Sequence, residues 1–164
     1  MRDLAWWLQN FEQSAFRLET LPEYNVPQET DMLAQFKDGE EVRMPDDHPW
    51  LERVRQHTEA GRVMRRVRVV SDPLTDYLRF ELSMYHQTVA AGEDIRVCSS
   101  AEISEFGDWW LFDDQVVIIL NYDETGHFLG TKQATDVVTY CRRRDQALEH
   151  SIPFADYTTR AARQ

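Results

Sequence analysis

The stretch that decides the fold opens with Arg62-Val63-Met64-Arg65-Arg66-Val67-Arg68-Val69-Val70, continues through Asp72-Pro73-Leu74, and closes with Gly92-Glu93-Asp94-Ile95-Arg96-Val97-Cys98. Arg62 to Val70 reads as a strand. Side chains alternate across a strand, so Val63, Val67 and Val69 share one face and Arg62, Arg66 and Arg68 the other, with Arg65 interrupting the apolar side. Asp72 suits a helix cap and Pro73 the first turn. Leu74, Leu78, Leu82, Tyr85 and Val89 then form an apolar stripe that Gly92 ends. Asp94 to Cys98 reads as a second strand. Two strands joined by a long helix imply a parallel pair with a crossover connection.

Downstream, Trp109–Asp113, Gln115–Tyr122 and Phe128–Gln133 are three β-like runs separated by Asp113-Asp114 and Asp123-Glu124-Thr125-Gly126. Short acidic and glycine turns between such runs predict an antiparallel meander. Asp136 to His150 follows as a helix with Val137, Val138, Cys141, Ala147 and Leu148 on its apolar side. From Ser151 the chain has Pro153, Phe154 and Tyr157 to dock it and an Arg- and Ala-rich end expected to fray.

Upstream, Leu4, Trp7, Leu8 and Phe11 give an amphipathic helix over residues 3–12. Ala15 to Thr20 alternates apolar and polar as a short strand. Pro27 starts a helix with Met32, Leu33 and Phe36 inward and Gly39 after it; Pro49 starts another with Trp50, Leu51 and Val54 inward and Gly61 after it. The expected fold is α/β, bordering on α+β. It is a mixed sheet of five to six strands with a β-α-β-β-β-β-α core over residues 62–152. A helical part, 1–61, packs on it, and 153–164 is a tail. All of 1–164 reads as one domain.

The 164 residues suit that size. The longest apolar run, Val116–Leu120, is far below the roughly 20 residues a membrane helix needs, and no export signal fits the start. A soluble, cytoplasmic protein with no membrane partner is expected. The net charge of −11 repels phosphate backbones, so no direct nucleic-acid binding is expected. Of the 18 cationic residues only Lys37 and Lys132 are lysine. Arg142, Arg143 and Arg144 point in three directions around a helix and make no single stripe. Cys98 and Cys141 have neither metal-ligand spacing nor an oxidising context, and read as buried thiols.

No catalytic motif emerges, and no cofactor is expected. His48, His57, His86, His127 and His150 form no HxH or HExxH pattern. There is no GxSxG and no glycine-rich phosphate loop. Asp108, Asp113, Asp114, Asp123 and Glu124 are dense enough to suggest a divalent cation, but Asp and Glu at turns explain them as well, and no metal site is assigned.

Three stretches carry a family resemblance: Ser14-Ala15-Phe16-Arg17-Leu18-Glu19; Arg66-Val67-Arg68-Val69-Val70 with Thr75-Asp76-Tyr77-Leu78-Arg79-Phe80-Glu81-Leu82; and Ala91-Gly92-Glu93-Asp94-Ile95-Arg96 with Trp109-Trp110-Leu111-Phe112-Asp113-Asp114. The chain resembles the actinobacterial domain-of-unknown-function family 6879 over nearly its full length. That resemblance implies no activity. It does imply a regulatory neighbourhood, since members are often encoded beside helix-turn-helix regulators. The order of core elements is more distantly similar to half of the phospholipase D fold. Aligning Asp113 with that fold's His-x-Lys-(x4)-Asp puts Asp108 at the lysine and Phe106 at the histidine, so the phosphoryl chemistry is lost.

The candidate ligand or partner pocket gathers Arg17, Glu19, Arg68, Tyr77 and Glu81 with Trp110. Asp76, Arg79, Asp94, Arg96 and Asp113 complete the set. It is expected at the carboxyl ends of the strands near Ser71 and Ser99. Glu81 lies toward the apolar stripe and needs a strand arginine, Arg66 or Arg68, as partner. The adjacent pairs Trp6-Trp7 and Trp109-Trp110 cannot both face one core, so each pair has either an exposed or interfacial tryptophan or one packed between the helical N-terminal part and the core. The functional expectation is a non-enzymatic regulatory module. It would bind a helix-turn-helix transcription regulator and sense a small ligand. The alternatives are a diverged metal-dependent phosphoester or nucleotide enzyme, and a toxin–antitoxin component.

Overall fold

A computed structural model describes residues 1–163. Its sheet has seven strands: β1 Ser14–Glu19, β2 Val63–Val69, β3 Asp94–Cys98, β4 Trp109–Phe112, β5 Val116–Tyr122, β6 Phe128–Ala134 and β7 Ile152–Pro153. They lie in the order β6-β5-β4-β1-β2-β3-β7. β1, β2 and β3 run parallel, and β4, β5 and β6 form an antiparallel meander that joins the parallel part at β1. The helices are α1 Leu4–Asn10, a 3-10 turn at Pro27–Glu29, α2 Thr30–Lys37, α3 Pro49–Glu59, α4 Asp76–Ala91, α5 Ala101–Ser104, α6 Val137–Glu149 and α7 Phe154–Ala162.

The α/β class, the parallel β2–β3 pair and the meander follow the sequence reading. Four features depart from it. The strand at Ser14–Glu19 is not part of a helical layer laid on a finished core. It is the middle strand of the sheet, with β2 on one side and β4 on the other. A seventh strand, β7, takes the count past the five or six expected. After Ser151, Ile152–Pro153 pairs with β3 at the sheet edge, where a proline costs no ladder bond, and Phe154 docks as expected but opens a helix, α7, that runs to Ala162 where fraying was expected. Finally, α4 starts at Asp76, where the Thr75 hydroxyl accepts from Leu78 N–H, rather than at Asp72-Pro73.

Both faces of the sheet are covered. On one, Phe16, Leu18, Val67, Val69, Trp109 and Leu111 pack with Ile103 of α5 and Ala147 of α6. On the other, Ala15, Met64, Trp110 and Phe112 pack with Phe11 and Val54 of α3, while Ile95 and Val97 meet Leu78 and Leu82 of α4. This resolves the tandem tryptophans of β4. Trp109 and Trp110 point to opposite faces and both are buried, because there are two cores for them to enter. Trp6 and Trp7 are both partly buried, in edge-to-face contact, and Trp7 packs on the second core.

α4 buries a wide arc, Tyr77, Leu78, Phe80, Leu82, Met84 and Tyr85, because it meets the sheet on one side and α2 and α3 on another; Val89 is exposed. At its C-terminus Gly92 has φ 123°, and a Cβ there would sit 2.2 Å from the Thr58 hydroxyl of α3. Only glycine allows that approach.

Candidate functional site

The period of two in β1 and β2 places Arg17, Glu19, Arg66 and Arg68 on one face of the sheet. The register sets Arg17 beside Arg66 and Glu19 beside Arg68, with Trp110 of β4 flanking Arg17 on the other side. Four charged side chains thus form a floor at the centre of the sheet. Above it α4 presents Tyr77, Glu81 and Tyr85, spaced by four residues and so on one side of the helix.

The floor is held by a connected polar network. Arg17 donates through Nη2 to Asp108 Oδ2 at 3.1 Å and through Nη1 to the Leu18 carbonyl at 2.9 Å. Asp108 also accepts from Thr20 N–H at 3.1 Å, from the Thr20 hydroxyl at 2.6 Å and from the Tyr24 hydroxyl. Arg66 donates through Nε to Glu93 at 2.7 Å and through Nη1 to Glu19, whose Oε1 also accepts from the Tyr85 hydroxyl at 3.1 Å. Its guanidinium lies 5.5 Å from the ring of Trp50, 5.8 Å from Tyr85 and 5.9 Å from Trp110, within cation–π range of all three. Arg68 is wholly buried. It pairs with Glu81 and donates to the carbonyls of Leu21 at 2.7 Å and Val69 at 3.0 Å.

The same burial acts differently on the two acids. Burial alone would raise Glu19, but Arg66, then Arg17 and Arg68, draw it down to about 2. Glu81 has only Arg68 close by, and burial, with Glu19 adding to it, pushes it up to about 7. The phenols of Tyr24, Tyr77 and Tyr85 are driven upward, first by burial and then by neighbouring carboxylates, so they stay neutral.

Floor and helix touch at the Arg68–Glu81 pair and where the Tyr85 hydroxyl meets Glu19, and stand apart beside those contacts. Between them lies a cavity of about 670 Å³, walled further by Met44, Met84, Trp50, Phe80 and Tyr122 and bordered by Glu29. Its size falls in the range of small-molecule sites, and its walls combine apolar and aromatic surface with a few fixed polar groups.

Arg17, Glu19, Tyr77, Glu81 and Trp110 line this cavity as a group. Arg68 lies behind it as the partner of Glu81. The other five expected residues lie elsewhere. Asp76 and Arg79 form an exposed pair at 3.2 Å, away from the site. Asp94 pairs with Arg65 at 2.7 Å and Arg96 holds Ser151 at 2.7 Å. Both β3 side chains belong to the opposite face, since strand alternation sends only Ile95 and Val97 toward α4. Asp113 is in the β4–β5 turn with φ 53°, and its carboxylate accepts from the backbone N–H groups of Glu12, Gln13 and Ser14 at 2.7–3.2 Å. It clips the entry of β1 to the hairpin. The cavity also sits over the sheet face rather than at Ser71 and Ser99, neither of which lines it.

The acidic stretch is dispersed in the same way. Asp108 serves Arg17, Asp114 pairs with Arg144 at 2.5 Å, and Asp123 closes a turn onto Thr125 N–H and His127 N–H, each at 2.9 Å. Among the described residues no group of three or more His, Cys, Asp or Glu is arranged to hold a metal ion.

A family model described as a domain of unknown function (DUF6879) matches residues 2–159. The chain belongs to that family. The match spans every element that builds the cavity, so the site lies within the DUF6879 domain. No curated protein matches the chain significantly.

Three further site residues were not legible in the sequence as such. Arg66 reads there only as an ion-pair partner, although its place two residues before Arg68 puts it on the same face. Trp50 reads as a core residue of its helix. Glu93 follows the helix-ending Gly92, and nothing local shows that this turn points back under the helix.

Proposed function

We propose that this DUF6879 chain is a non-enzymatic small-ligand-binding module whose occupancy is read by a protein partner. The observation that carries the reading is the cavity of about 670 Å³ set on a floor of largely buried charged side chains, Arg17, Glu19 and Arg66, with Arg68 behind them. Replacing buried ion pairs by apolar side chains is often neutral or stabilising, so they are weak evidence for a role in stability. A floor of them beneath an open volume is what a binding site needs: fixed polar groups that orient a guest between apolar walls. Arg17, Glu19, Glu81 and Trp110 would make those contacts, with Trp50 and Tyr85 as aromatic walls.

The partner in this reading is a helix-turn-helix regulator, as the family resemblance implies, and the net charge of −11 favours a basic surface on it. The likeness to a phospholipase D half supports a shared order of elements and no more, with Phe106 and Asp108 at the positions where that chemistry would need histidine and lysine.

The test is native mass spectrometry of the protein isolated from its own cells, beside Met84→Trp, which fills the cavity. A discrete small-molecule mass on the wild type, missing from the variant, is the expected result. Identical bare masses for both, with unchanged low-salt binding to the regulator, would remove the ligand from the reading.

A further inference from the structure

The cavity is short of positive charge. Arg17, Arg66 and Arg68 stand against Asp108, Glu19, Glu93, Glu81 and Glu29 in its walls and directly behind them. Arg17 is taken by Asp108 and Arg68 by Glu81, so Arg66 alone serves both Glu19 and Glu93. Glu29 has only the neutral Tyr77 hydroxyl, at 2.7 Å. His48 also lines the cavity, its Nδ1 accepting from Trp50 N–H, and Lys37 lines a separate cavity of about 380 Å³ that shares the wall made by Tyr24, Val26, Glu29 and Tyr77.

A second observation points the same way. Glu93 is 3% exposed, and Oε1 takes the Arg66 Nε–H while Oε2 has no hydrogen-bond partner. Among the described residues it is the one buried side-chain polar atom left without a partner. An unsatisfied carboxylate oxygen in a buried wall is costly, and a donor arriving in the cavity would relieve it. The surrounding surface suits a cation with an apolar body. The rings of Trp50, Tyr85 and Trp110 already gather around one guanidinium, and Tyr24, Phe80 and Tyr122 extend the aromatic wall.

We infer that the ligand is an organic cation, a protonated amine on an aromatic or apolar body, whose ammonium bonds Oε2 of Glu93, whose entry the charge of Glu29 at the rim favours, and whose body lies against the aromatic walls. This rests on the ligand-binding reading above and narrows it to one chemical class. Binding of a cation also favours the ionised form of Glu81, so uptake near neutral pH releases a proton there.

The test compares three probes of one shape, 4-phenylbutylamine, 4-phenylbutyrate and 4-phenylbutanol, by titration calorimetry on the full chain. The amine is expected to bind at least tenfold more tightly than the alcohol, and the carboxylate more weakly than both. Glu93→Gln should erase most of that preference while leaving the alcohol's affinity in place. Glu29→Gln, at the partly exposed rim, should reduce it several-fold in a protein whose buried network is untouched. An alcohol or carboxylate that binds as well as the amine would overturn the cation assignment and leave the ligand-binding reading standing. A preference unchanged in both variants would overturn the assignment of Glu93 and Glu29. Failure of all three probes to bind at millimolar concentration would count against cation and cavity together.

Discussion

On one face of β1, Phe16 and Leu18 are sealed against Trp109, Val67 and Ala147 with no charge among them; on the other, Arg17 and Glu19 are as deeply buried, among arginines, carboxylates and a cavity. The backbone is the same and its pairing serves both faces equally. The difference is what each side chain must find. The dry face needs only shape, and helices α5 and α6 supply it. The charged face needs a partner for each group, and the partners come from remote places: Asp108 before β4, Glu93 before β3, Glu81 on α4. The first face explains why the sheet holds together. The second is where the molecule departs from the cheapest way to bury a strand, and such departures mark function.

The comparison can be broken by deleting from each face. Trp109→Ala empties the largest fully buried side chain of the dry face and should cost about 3–5 kcal/mol in urea unfolding. It should leave probe binding in the cavity nearly unchanged in whatever fraction stays folded. Arg68→Met on the charged face should cost roughly 3 kcal/mol at and above neutral pH, because the buried Glu81 loses its paired cation and must stay charged alone or take up a proton. Adding Glu81→Leu should recover most of that, because both charges are then gone. A double variant no more stable than Arg68→Met alone would mean that the pair contributes through something other than mutual neutralisation.

Acidity separates the faces more finely, since the charged face holds two carboxyls displaced in opposite directions. Glu81 sits near 7 in the fold against 4.5 in the unfolded chain, so the folded state holds more protons between those values. Its contribution is complete below about 4.5 and is lost as pH rises through 7. Glu19, held at about 2, behaves oppositely: its contribution is present above 4.5 and lost as pH falls toward 2. Urea midpoints measured from pH 4.5 to 7.5 should carry a downward component that Glu81→Gln removes. An identical slope in the variant would place the Glu81 carboxyl back near its ordinary value. The smallest effect is expected at Arg79→Ala, which breaks an exposed pair of about 0.5 kcal/mol or less and should not touch cation binding.

Alternation along β1 and β2 is legible in the sequence, and with it the shared face of Arg17 and Glu19 and the need of Glu81 for a strand arginine. Asp76, Arg79, Asp94, Arg96 and Asp113 lie close to those residues along the chain, and proximity along the chain is not proximity in a sheet. On α4, Arg79 is only two positions from Glu81, yet a helix turns about 200° in two residues and sends them apart. Asp113 follows Trp110 by three residues and ends in a turn with positive φ, committed to backbone donors. Asp108 reads only as one acid of a carboxylate-dense stretch, because its partners Thr20 and Tyr24 are 88 and 84 positions away. The strand order was hidden for a related reason. Nothing in Ser14–Glu19 itself shows that a later hairpin will pair with its free edge.

That placement has a consequence for how the molecule comes into being. β1 leaves the ribosome early, and Ala15 must wait for Phe112 before its second edge is paired. Until then a strand carrying Phe16, Leu18 and an Arg17 still without its carboxylate has an open side. Contacts closed over such long separations slow folding, and open strand edges invite pairing with other chains. That side closes only when Asp108 and Trp110 arrive together, giving Arg17 its carboxylate and β1 its second neighbour.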